Sequence, residues 1–170
     1  MSDIKVNEIK TDTIKNQAGT SAITIASDGK MTTSQYIQQN GVPRFSARGG
    51  STQNSTGPYV VQFNTADVNV GNCFNTSNYR FTAPVAGDYY FFYSVMSGGA
   101  NYVRSRLRKN GSTYIGAETF HEAETYARTS YASIFTLAAA DYVEVIVDTS
   151  GNDQGPIHPG YRQFTGFLVG

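Results

Sequence analysis

The sequence predicts an all-β fold, a jelly-roll β-sandwich, and three observations favour it. From residue 43 to the end, short runs alternate apolar and polar residues, which is the periodicity of half-buried strands. Gly, Asn, Ser and Pro separate these runs at short intervals, as in sandwich and jelly-roll domains. Tyr, Thr, Ser, Asn and Gly are abundant and Trp is absent, a composition typical of turn-rich β proteins.

Residues 1–40 differ from the rest of the chain, because their apolar residues are too sparse to close a core. The pattern predicts a strand at residues 22–25, a tight turn at 28–29, a return strand at 30–32 and a short helix at 35–39. A piece this short and polar is not stable alone, so we expect an attachment arm and linker that docks on another protein. The candidate anchoring residues are its isolated aliphatic side chains, Ile4, Val6, Ile9 and Ile14.

Residues 79–99 are the most constrained stretch of the predicted head, which spans residues 41–170. One strand ends at Pro84, which lacks a backbone donor, and Gly87 supplies the turn into the next. That second strand is aromatic on both faces, with Tyr89, Phe91, Tyr93 and Val95 on one side and Tyr90, Phe92 and Ser94 on the other. One face fills the core between two sheets. The other needs a cover, either a second copy of the chain or a loop of the same subunit.

The remaining strands of the head follow at short intervals. We predict strands at residues 60–64, 103–108, 131–137 and 142–147, and a last one at 164–168. In the strand at 103–108 the period of two places alternate side chains on opposite faces. The inward-facing residues are Val103, Ser105 and Leu107.

Arg104, Arg106 and Arg108 share the outer face of that strand and are the candidate ligand-binding residues. Three guanidiniums in a row could bind anionic sugars or phosphates through paired hydrogen bonds. The alternative, which we favour, is that they form intrachain ion pairs or keep an edge strand hydrated. The candidate intrachain partners are Glu118, Glu122 and Glu124. Tyrosines at turns and strand ends, among them Tyr126 and Tyr161, could also stack on sugars.

The sequence predicts no catalytic residues, no metal site and no cofactor. His121 precedes a glutamate, but the second His that a zinc-protease motif requires four residues on is missing. Cys73 is predicted to be a buried, inert thiol. Asp148, Asn152 and Asp153 could supply oxygens to Ca²⁺, but a solvated turn is favoured because the full calcium-loop pattern is missing.

Charge and hydropathy argue against two further classes of partner. Lys and Arg together number 13 and so do Asp and Glu, whereas a nucleic-acid binder relies on a basic surplus. No apolar run approaches the roughly 20 residues that span a bilayer, and the start lacks a secretory signal pattern. We therefore expect no nucleic-acid partner, no membrane insertion, and synthesis in a cytoplasm without export by the general route.

A motif at residues 81–91 combines an aromatic residue, Ala-Pro, Gly and Tyr-x-Phe at fixed spacing. Its residues are Phe81, Ala83, Pro84, Gly87, Tyr89 and Phe91. This motif resembles the signature of the complement C1q globular head, a trimeric jelly roll related to tumour necrosis factor. Residues 43–47, 103–111 and 164–168 resemble further strands of that family in the same order, whereas Ala140 stands where the family usually has Gly. The resemblance implies a homotrimer, and we expect Tyr90, Phe92 and Phe167 at its interface.

The start of the chain carries a second resemblance. Residues 4–32 are similar to N-terminal segments of tail and fibre proteins of tailed bacteriophages; their sequence is IKVNEIKTDTIKNQAGTSAITIASDGKMT. This resemblance implies a virion protein made in the host cytoplasm, with the arm bound to other capsid or tail proteins.

Taken together, these patterns predict a phage structural protein, namely a short trimeric fibre or a capsid decoration protein that displays its head. The alternative is a receptor-binding tip of a tail fibre that recognises a host surface glycan. A polysaccharide-degrading enzyme is disfavoured, because nothing in the sequence pairs two carboxylates across a cleft.

Overall fold

The computed structural model describes residues 13–15, 21–25, 27, 31–33, 41–53, 58–98, 102–122, 126–149 and 157–170. The chain divides into two compact units, Met1–Asn40 and Gly41–Gly170. The first unit contains a three-stranded antiparallel sheet in the order β1-β2-β3. Its strands are β1 (Thr13–Lys15), β2 (Ser21–Ile25) and β3 (Met31–Thr33). The predicted strand at 22–25 and its return strand are confirmed, and the predicted helix at 35–39 lies outside the described residues.

The second unit is a sandwich of short antiparallel strands, as the period-two pattern predicts. The strands are β4 (Arg44–Arg48), β5 (Tyr59–Val60), β6 (Thr65–Val70), β7 (Phe74–Asn75), β8 (Arg80–Thr82), β9 (Gly87–Gly98), β10 (Tyr102–Lys109), β11 (Thr113–Glu122), β12 (Tyr126–Leu137), β13 (Tyr142–Thr149) and β14 (Gln163–Leu168). A single 3₁₀ turn, Pro159–Tyr161, precedes β14. Within the described ranges no helix has the length and hydropathy that a bilayer crossing needs.

The strands form two sheets with non-sequential neighbours. The five-stranded sheet has the order β12-β9-β14-β4-β6, and the six-stranded sheet has the order β11-β10-β13-β8-β7 with β5 also paired to β13. Strands that follow one another in sequence, such as β8 and β9 or β9 and β10, lie in different sheets. This arrangement confirms the predicted jelly-roll sandwich.

The core between the two sheets is mainly aromatic. Phe45 lies at its centre, with ring centroids 4.8 Å from Phe164, 4.9 Å from Phe74 and 5.3 Å from Phe81. The side of β9 that was predicted to face inward is fully buried, and so is the inward side of β10. The buried residues of these two strands are Tyr89, Phe91, Tyr93, Val95, Val103, Ser105 and Leu107. The alternation of the sequence therefore gives the correct register for both strands.

A cluster of four hydroxyl groups lies within this core and links the two sheets. Ser105 Oγ of β10 is 2.7 Å from Thr129 Oγ1 of β12, 2.7 Å from Thr119 Oγ1 and 3.0 Å from the Tyr93 hydroxyl. Each hydroxyl can donate one hydrogen bond and accept others, so these groups satisfy one another without water. The cluster thus holds polar groups that would otherwise be costly to bury.

Three predicted strands differ from the structure, and one of them, predicted at residues 131–137, begins five residues earlier, at Tyr126. The strand predicted at residues 60–64 ends at Val60, because the Gln53 side chain bonds to the backbone on both sides of Val61, at Val60 O (2.8 Å) and Gln62 N (2.9 Å). The alternation of Tyr79, Phe81 and Ala83 predicts a strand that begins at Tyr79. Tyr79 does not belong to β8, since it has a φ of 62° and closes a turn by donating its backbone N–H to Asn75 O at 2.8 Å.

Both ends of the second unit lie at the same end of the sandwich. The backbone N–H of Leu168 donates to Pro43 O at 3.0 Å, and the N–H of Asp88 donates to Gly170 O at 2.8 Å. The start of the unit and the last residue of the chain are therefore both tied to the strand pair β14 and β9.

The turn between β12 and β13 contains a strained residue. Ala140 has a φ of 69°, in the left-handed region where a residue with a Cβ costs roughly 1 kcal/mol and glycine does not. Its backbone N–H donates to Ala83 O at 2.8 Å, which fixes the residue in that conformation. An alanine at this position therefore has a structural cost.

Replacing Ala140 by glycine is expected to raise the free energy of unfolding by about 0.5–1 kcal/mol, because glycine adopts this φ without strain. The measurement is the midpoint of urea unfolding. Ala139→Gly is the matched control, since Ala139 has no positive φ, and it should lower stability. If Ala140→Gly loses as much stability as the control, the inference that Ala140 is strained is wrong.

Candidate functional site

The outer face of the five-stranded sheet carries a strip of apolar side chains that we call the apolar band. It consists of Tyr90 and Phe92 of β9, Ile134 of β12, Phe167 of β14 and Val68 of β6. Directly paired strand residues share a face, and the register pairs Ile134 with Tyr90 and Tyr90 with Phe167. The structure thus brings together the residues predicted at a trimer interface.

Much of the apolar band is open to solvent in the single subunit. Ile134 is 53% exposed and Phe167 is 43% exposed, whereas Tyr90 and Phe92 are half-buried. The rings of Tyr90 and Phe167 lie 5.1 Å apart, so they form one continuous apolar surface. A strip of this kind on a sheet face is typical of a surface that another chain covers.

The three candidate ligand-binding arginines lie on the outer face of the six-stranded sheet, as predicted, and each has an intrachain partner. The guanidinium of Arg104 lies 3.0 Å from the Asp148 carboxylate and that of Arg106 lies 2.9 Å from Glu118. The Arg106 guanidinium also lies 3.6 Å from the ring centroid of Tyr114. Their positive charge is therefore balanced locally, and a role in ligand binding stays a prediction.

The third arginine belongs to a buried ion-pair group. The Glu144 side chain is fully buried, with one carboxylate oxygen 2.7 Å from Arg108 and the other 2.9 Å from Arg80. The Arg80 guanidinium also covers the Tyr142 ring at 4.2 Å. Of the predicted partners of the arginines, Glu118 forms the predicted ion pair, with Arg106, and Glu124 lies outside the described residues. Sequence reasoning missed Glu144 and Asp148, because they come from β13, about forty residues further along the chain.

The Asp141 carboxylate holds the β12–β13 turn against the β10–β11 turn. It accepts hydrogen bonds from Asn110 Nδ2 at 2.7 Å and from the backbone N–H of Ala138 at 2.9 Å. The Asn110 hydrogen bond, followed by that of Ala138, lowers the pKa of Asp141 below its ordinary value, because both donors favour the charged form.

Acidification is therefore expected to remove the contribution of Asp141 to stability. A carboxyl whose folded-state pKa is depressed stabilises the fold above its ordinary pKa and loses this effect as the pH falls through the lower folded value. Unfolding free energies of the parent chain and Asp141→Asn, measured by urea titration, should differ at neutral pH and converge toward about pH 3. A difference that stays constant over this range would exclude the carboxylate charge as its cause.

Cys73 and His121, two further candidate reactive side chains within the described ranges, lack a reactive setting. Cys73 is buried and unpaired, as predicted, and burial raises the pKa of its thiol to about 11, so it is protonated at neutral pH. His121 lies in β11, where its Nδ1 contacts the backbone oxygen of Glu122 at 2.7 Å. In the described part of the chain no group of three His, Cys, Asp or Glu side chains is placed to hold a metal ion. Of the candidate calcium ligands, Asp148 pairs with Arg104, and residues 152 and 153 lie outside the described residues.

A second concave feature lies further along the outer face of the five-stranded sheet. Met96 of β9, Tyr126 of β12, His158 and Tyr161 line a pocket of about 440 Å³, which we call the aromatic box. The backbone N–H of His158 donates to Met96 O at 3.0 Å, which fixes the 3₁₀ turn against β9. Sequence reasoning noted both tyrosines but could not place them together, because they come from separate strands and loops.

The comparisons with known proteins all indicate the same family. A family model described as the C1q domain matches residues 44–169. Complement C1q tumor necrosis factor-related protein 3 of Mus musculus is 30% identical over 123 residues, which cover 70% of this chain and 46% of the relative. The Homo sapiens protein of the same name matches to the same extent. The chain thus spans about half the length of the curated relatives it matches.

Solved structures show the same fold. The globular domain of zebrafish complement 1qA matches with a TM-score of 0.65 at 24% identity and covers 76% of this chain and 98% of that one. Murine APRIL matches with a TM-score of 0.60 at 11% identity over 75% of this chain and 99% of that one. At these identities the similarity shows the fold alone.

These comparisons correct the function that the N-terminal resemblance implies. The relatives are complement-related proteins of animals, and no match supports a likeness to bacteriophage tail or fibre proteins. The predictions of a virion fibre or decoration protein, of a host-recognising fibre tip and of a virion location are therefore wrong. The misleading segment is short and polar, so it carries little family information. Of its candidate anchoring residues, Ile14 lies in β1, whereas Ile4, Val6 and Ile9 lie outside the described residues.

Proposed function

Because the chain belongs to the C1q domain family, we propose that residues 41–170 form a trimeric, non-enzymatic binding head. Proteins with this domain are generally not enzymes, and trimers are typical of the family. Residues 1–40 are, in this proposal, a separate segment appended to the head.

The observation that carries the trimer is the apolar band. Burying an apolar side chain such as Phe167 contributes about 1.5–3 kcal/mol, and a threefold contact repeats this gain in every subunit. The sheet register places Ile134 near one edge of the face and Val68 near the other, so each subunit presents apolar surface to a neighbour on both sides. This is the geometry that a closed ring of identical contacts requires.

The polar part of the same face supports a contact between unlike edges. Asp67 of β6 and Arg48 of β4 form an exposed ion pair at 2.9 Å, whereas Arg128 of β12 is exposed at the opposite edge. In a threefold ring the β12 edge of one subunit approaches the β6 edge of the next. Complementary charges at these edges fix the orientation of the contact more than its strength.

Replacing Phe167 by serine is expected to weaken the trimer roughly a thousandfold, because every subunit loses about 1.5 kcal/mol of apolar burial. The fold of a single subunit should change little, since Phe167 is 43% exposed within it. The measurement is the mass in solution over a dilution series, with far-UV circular dichroism as the check on folding. Phe92→Ser should act in the same direction.

Phe120→Ser is the matched control for Phe167→Ser. Phe120 is 54% exposed and lies in β11 of the other sheet, so its replacement should leave the mass unchanged. A monomeric mass for the parent chain at micromolar concentration would overturn the proposal. Equal effects of both substitutions would remove the apolar band as the interface.

A further inference from the structure

A buried arginine, Arg162, points into the sandwich without an acidic partner. It is 2% exposed, and a Cβ added to Gly49, which continues the buried side of β4, would lie 1.7 Å from Arg162 Nε. Its terminal nitrogens donate to uncharged oxygens, Nη1 to Gln53 Oε1 at 3.3 Å and Nη2 to the backbone oxygen of Ser51. No carboxylate within the described ranges forms an ion pair with this guanidinium. Because arginine keeps its proton at neutral pH, the interior holds a positive charge that none of these carboxylates neutralises.

Three buried hydroxyl groups also lack a partner. In the part of the chain that the structure describes, five buried side-chain polar atoms have no hydrogen-bond partner, and four of them are Tyr59 OH, Ser97 Oγ, Thr149 Oγ1 and Arg162 Nε. We call these four residues the Arg162 cluster. Buried polar atoms in proteins are nearly always hydrogen-bonded, so each of these four atoms needs an explanation.

The sheet register places Ser97 and Thr149 opposite each other. β10 lies over β12, since Ser105 Oγ is 2.7 Å from Thr129 Oγ1. β13 pairs with β10 and β9 pairs with β12, so β13 lies over β9. The next inward position along these two strands, toward the connection between β9 and β10, is Thr149 in β13 and Ser97 in β9. Their hydroxyls therefore lie at the same end of the interior.

Tyr59 and Arg162 lie on the same side of this pair. β5 pairs with β13 on the side away from β10, and β14, which follows Arg162, pairs with β9 on the side away from β12. Tyr59 pairs with the buried Val147, so its ring also points inward. Burial raises the pKa of Tyr59 to about 12, and the positive charge of Arg162 is the largest effect in the opposite direction. The Tyr59 hydroxyl is therefore protonated at neutral pH and within electrostatic range of Arg162.

We propose that the Arg162 cluster binds a small monovalent anion of the size of chloride between the two sheets of one subunit. The guanidinium N–H and the three hydroxyls are all donors, and an anion accepts hydrogen bonds from each of them. A water molecule would satisfy the hydroxyls but would leave the charge of Arg162 without a counterion, which is costly in an interior. A divalent anion such as sulfate would exceed the single positive charge.

This site does not depend on the proposed trimer. Its side chains point into the sandwich, whereas the apolar band and its charged neighbours lie on the outer face of the five-stranded sheet. Assembly of subunits on that face leaves the Arg162 cluster unchanged. The anion and the trimer can therefore be tested separately.

The test is urea unfolding of the full chain in sodium chloride and in sodium gluconate, at equal ionic strength and one protein concentration. About 0.2 M chloride should raise the folding equilibrium constant at least tenfold over gluconate, which corresponds to a Kd below about 20 mM. The increase should saturate with chloride concentration. Bromide should act like chloride, and sulfate should act like gluconate.

Tyr59→Phe removes one donor with little change of shape. In gluconate this variant should be at least as stable as the parent chain, because it no longer buries a hydroxyl without a partner. Its apparent affinity for chloride should fall about tenfold, because a hydrogen bond to a charged group is lost. Tyr114→Phe is the matched control, since Tyr114 is 43% exposed in β11, and it should keep the parent affinity for chloride.

Arg162→Gln should abolish the difference between chloride and gluconate. Arg106→Gln is its control, because Arg106 belongs to the row of arginines on the outer face and pairs with Glu118. This variant should retain the chloride effect. If Arg162→Gln does not fold, Tyr59→Phe still decides, and so does the position of bromide in crystals grown in sodium bromide. The anomalous signal of bromide should lie within hydrogen-bond distance of Arg162 Nε.

Equal stability in chloride and gluconate would overturn the proposal. So would parent affinity for chloride in Tyr59→Phe, or bromide bound only at the outer arginines. The mass of the same samples is measured in parallel. A trimer whose stability does not respond to chloride refutes this inference alone, and a monomer that responds to chloride refutes the trimer alone.

Discussion

Replacing Phe45 by alanine is expected to lower the free energy of unfolding by about 3–5 kcal/mol, the range for a large-to-small change at a packed aromatic site. Phe45 is 2% exposed, and its ring contacts those of Phe74 and Phe81 in the opposite sheet and that of Phe164 on the neighbouring strand β14. No single neighbour can fill the space, because the surrounding rings belong to both sheets. Urea unfolding followed by tyrosine fluorescence measures the change.

The exposed Phe120 gives the control for this experiment. Phe120→Ala removes the same atoms from a side chain that is 54% exposed, so the loss should be below about 1 kcal/mol. Comparable losses in the two variants would mean that Phe45 is not at the centre of the core.

The double replacement Arg80→Met and Arg108→Met is expected to destabilise the fold by about 3–5 kcal/mol, because it leaves a buried carboxylate without a cation. The Glu144 side chain is fully buried, whereas those of Arg80 and Arg108 are 33% and 22% exposed. The cost therefore lies with the carboxylate and not with the two guanidiniums. Thermal and urea unfolding measure the loss.

Adding Glu144→Leu to the double variant tests this assignment. The triple variant carries no buried charge at this point, so it should recover most of the lost stability, since apolar residues of similar volume commonly replace buried ion pairs at little cost. If the triple variant is as unstable as the double variant, the arginines act through their packing on neighbours such as Tyr142 and not through Glu144.

Strand periodicity predicts the interior of this fold because the interior strands are packed on at least one face. β9 and β10 alternate buried and half-buried residues along their length, and the sequence shows the same alternation. β11 is an edge strand with mostly exposed residues, so its sequence has no such pattern and no strand was predicted there. Exposure on both faces removes the signal on which the prediction depends.

The candidate sites were predictable only where the residues share one strand. Arg104, Arg106 and Arg108 could be placed on one face because they alternate along β10. Their partners Glu144 and Asp148 depend on the pairing of β10 with β13, which spacing alone does not give. The aromatic box depends in the same way on how β9, β12 and the 3₁₀ turn come together. Side chains on different strands meet through the topology, and a single sequence does not encode that directly.

The adjacency of the two ends of the head has a consequence for protein engineering. Pro43 and Gly170 are both held by backbone hydrogen bonds at the start of β9 and the end of β14, so only a short connection is needed to join them. Domains whose ends meet in this way accept circular permutation and insertion into a host loop, because neither operation stretches the chain. New termini could then open at a surface turn such as that at Gly111, while cargo fused through the original ends would stay on the side away from the aromatic box.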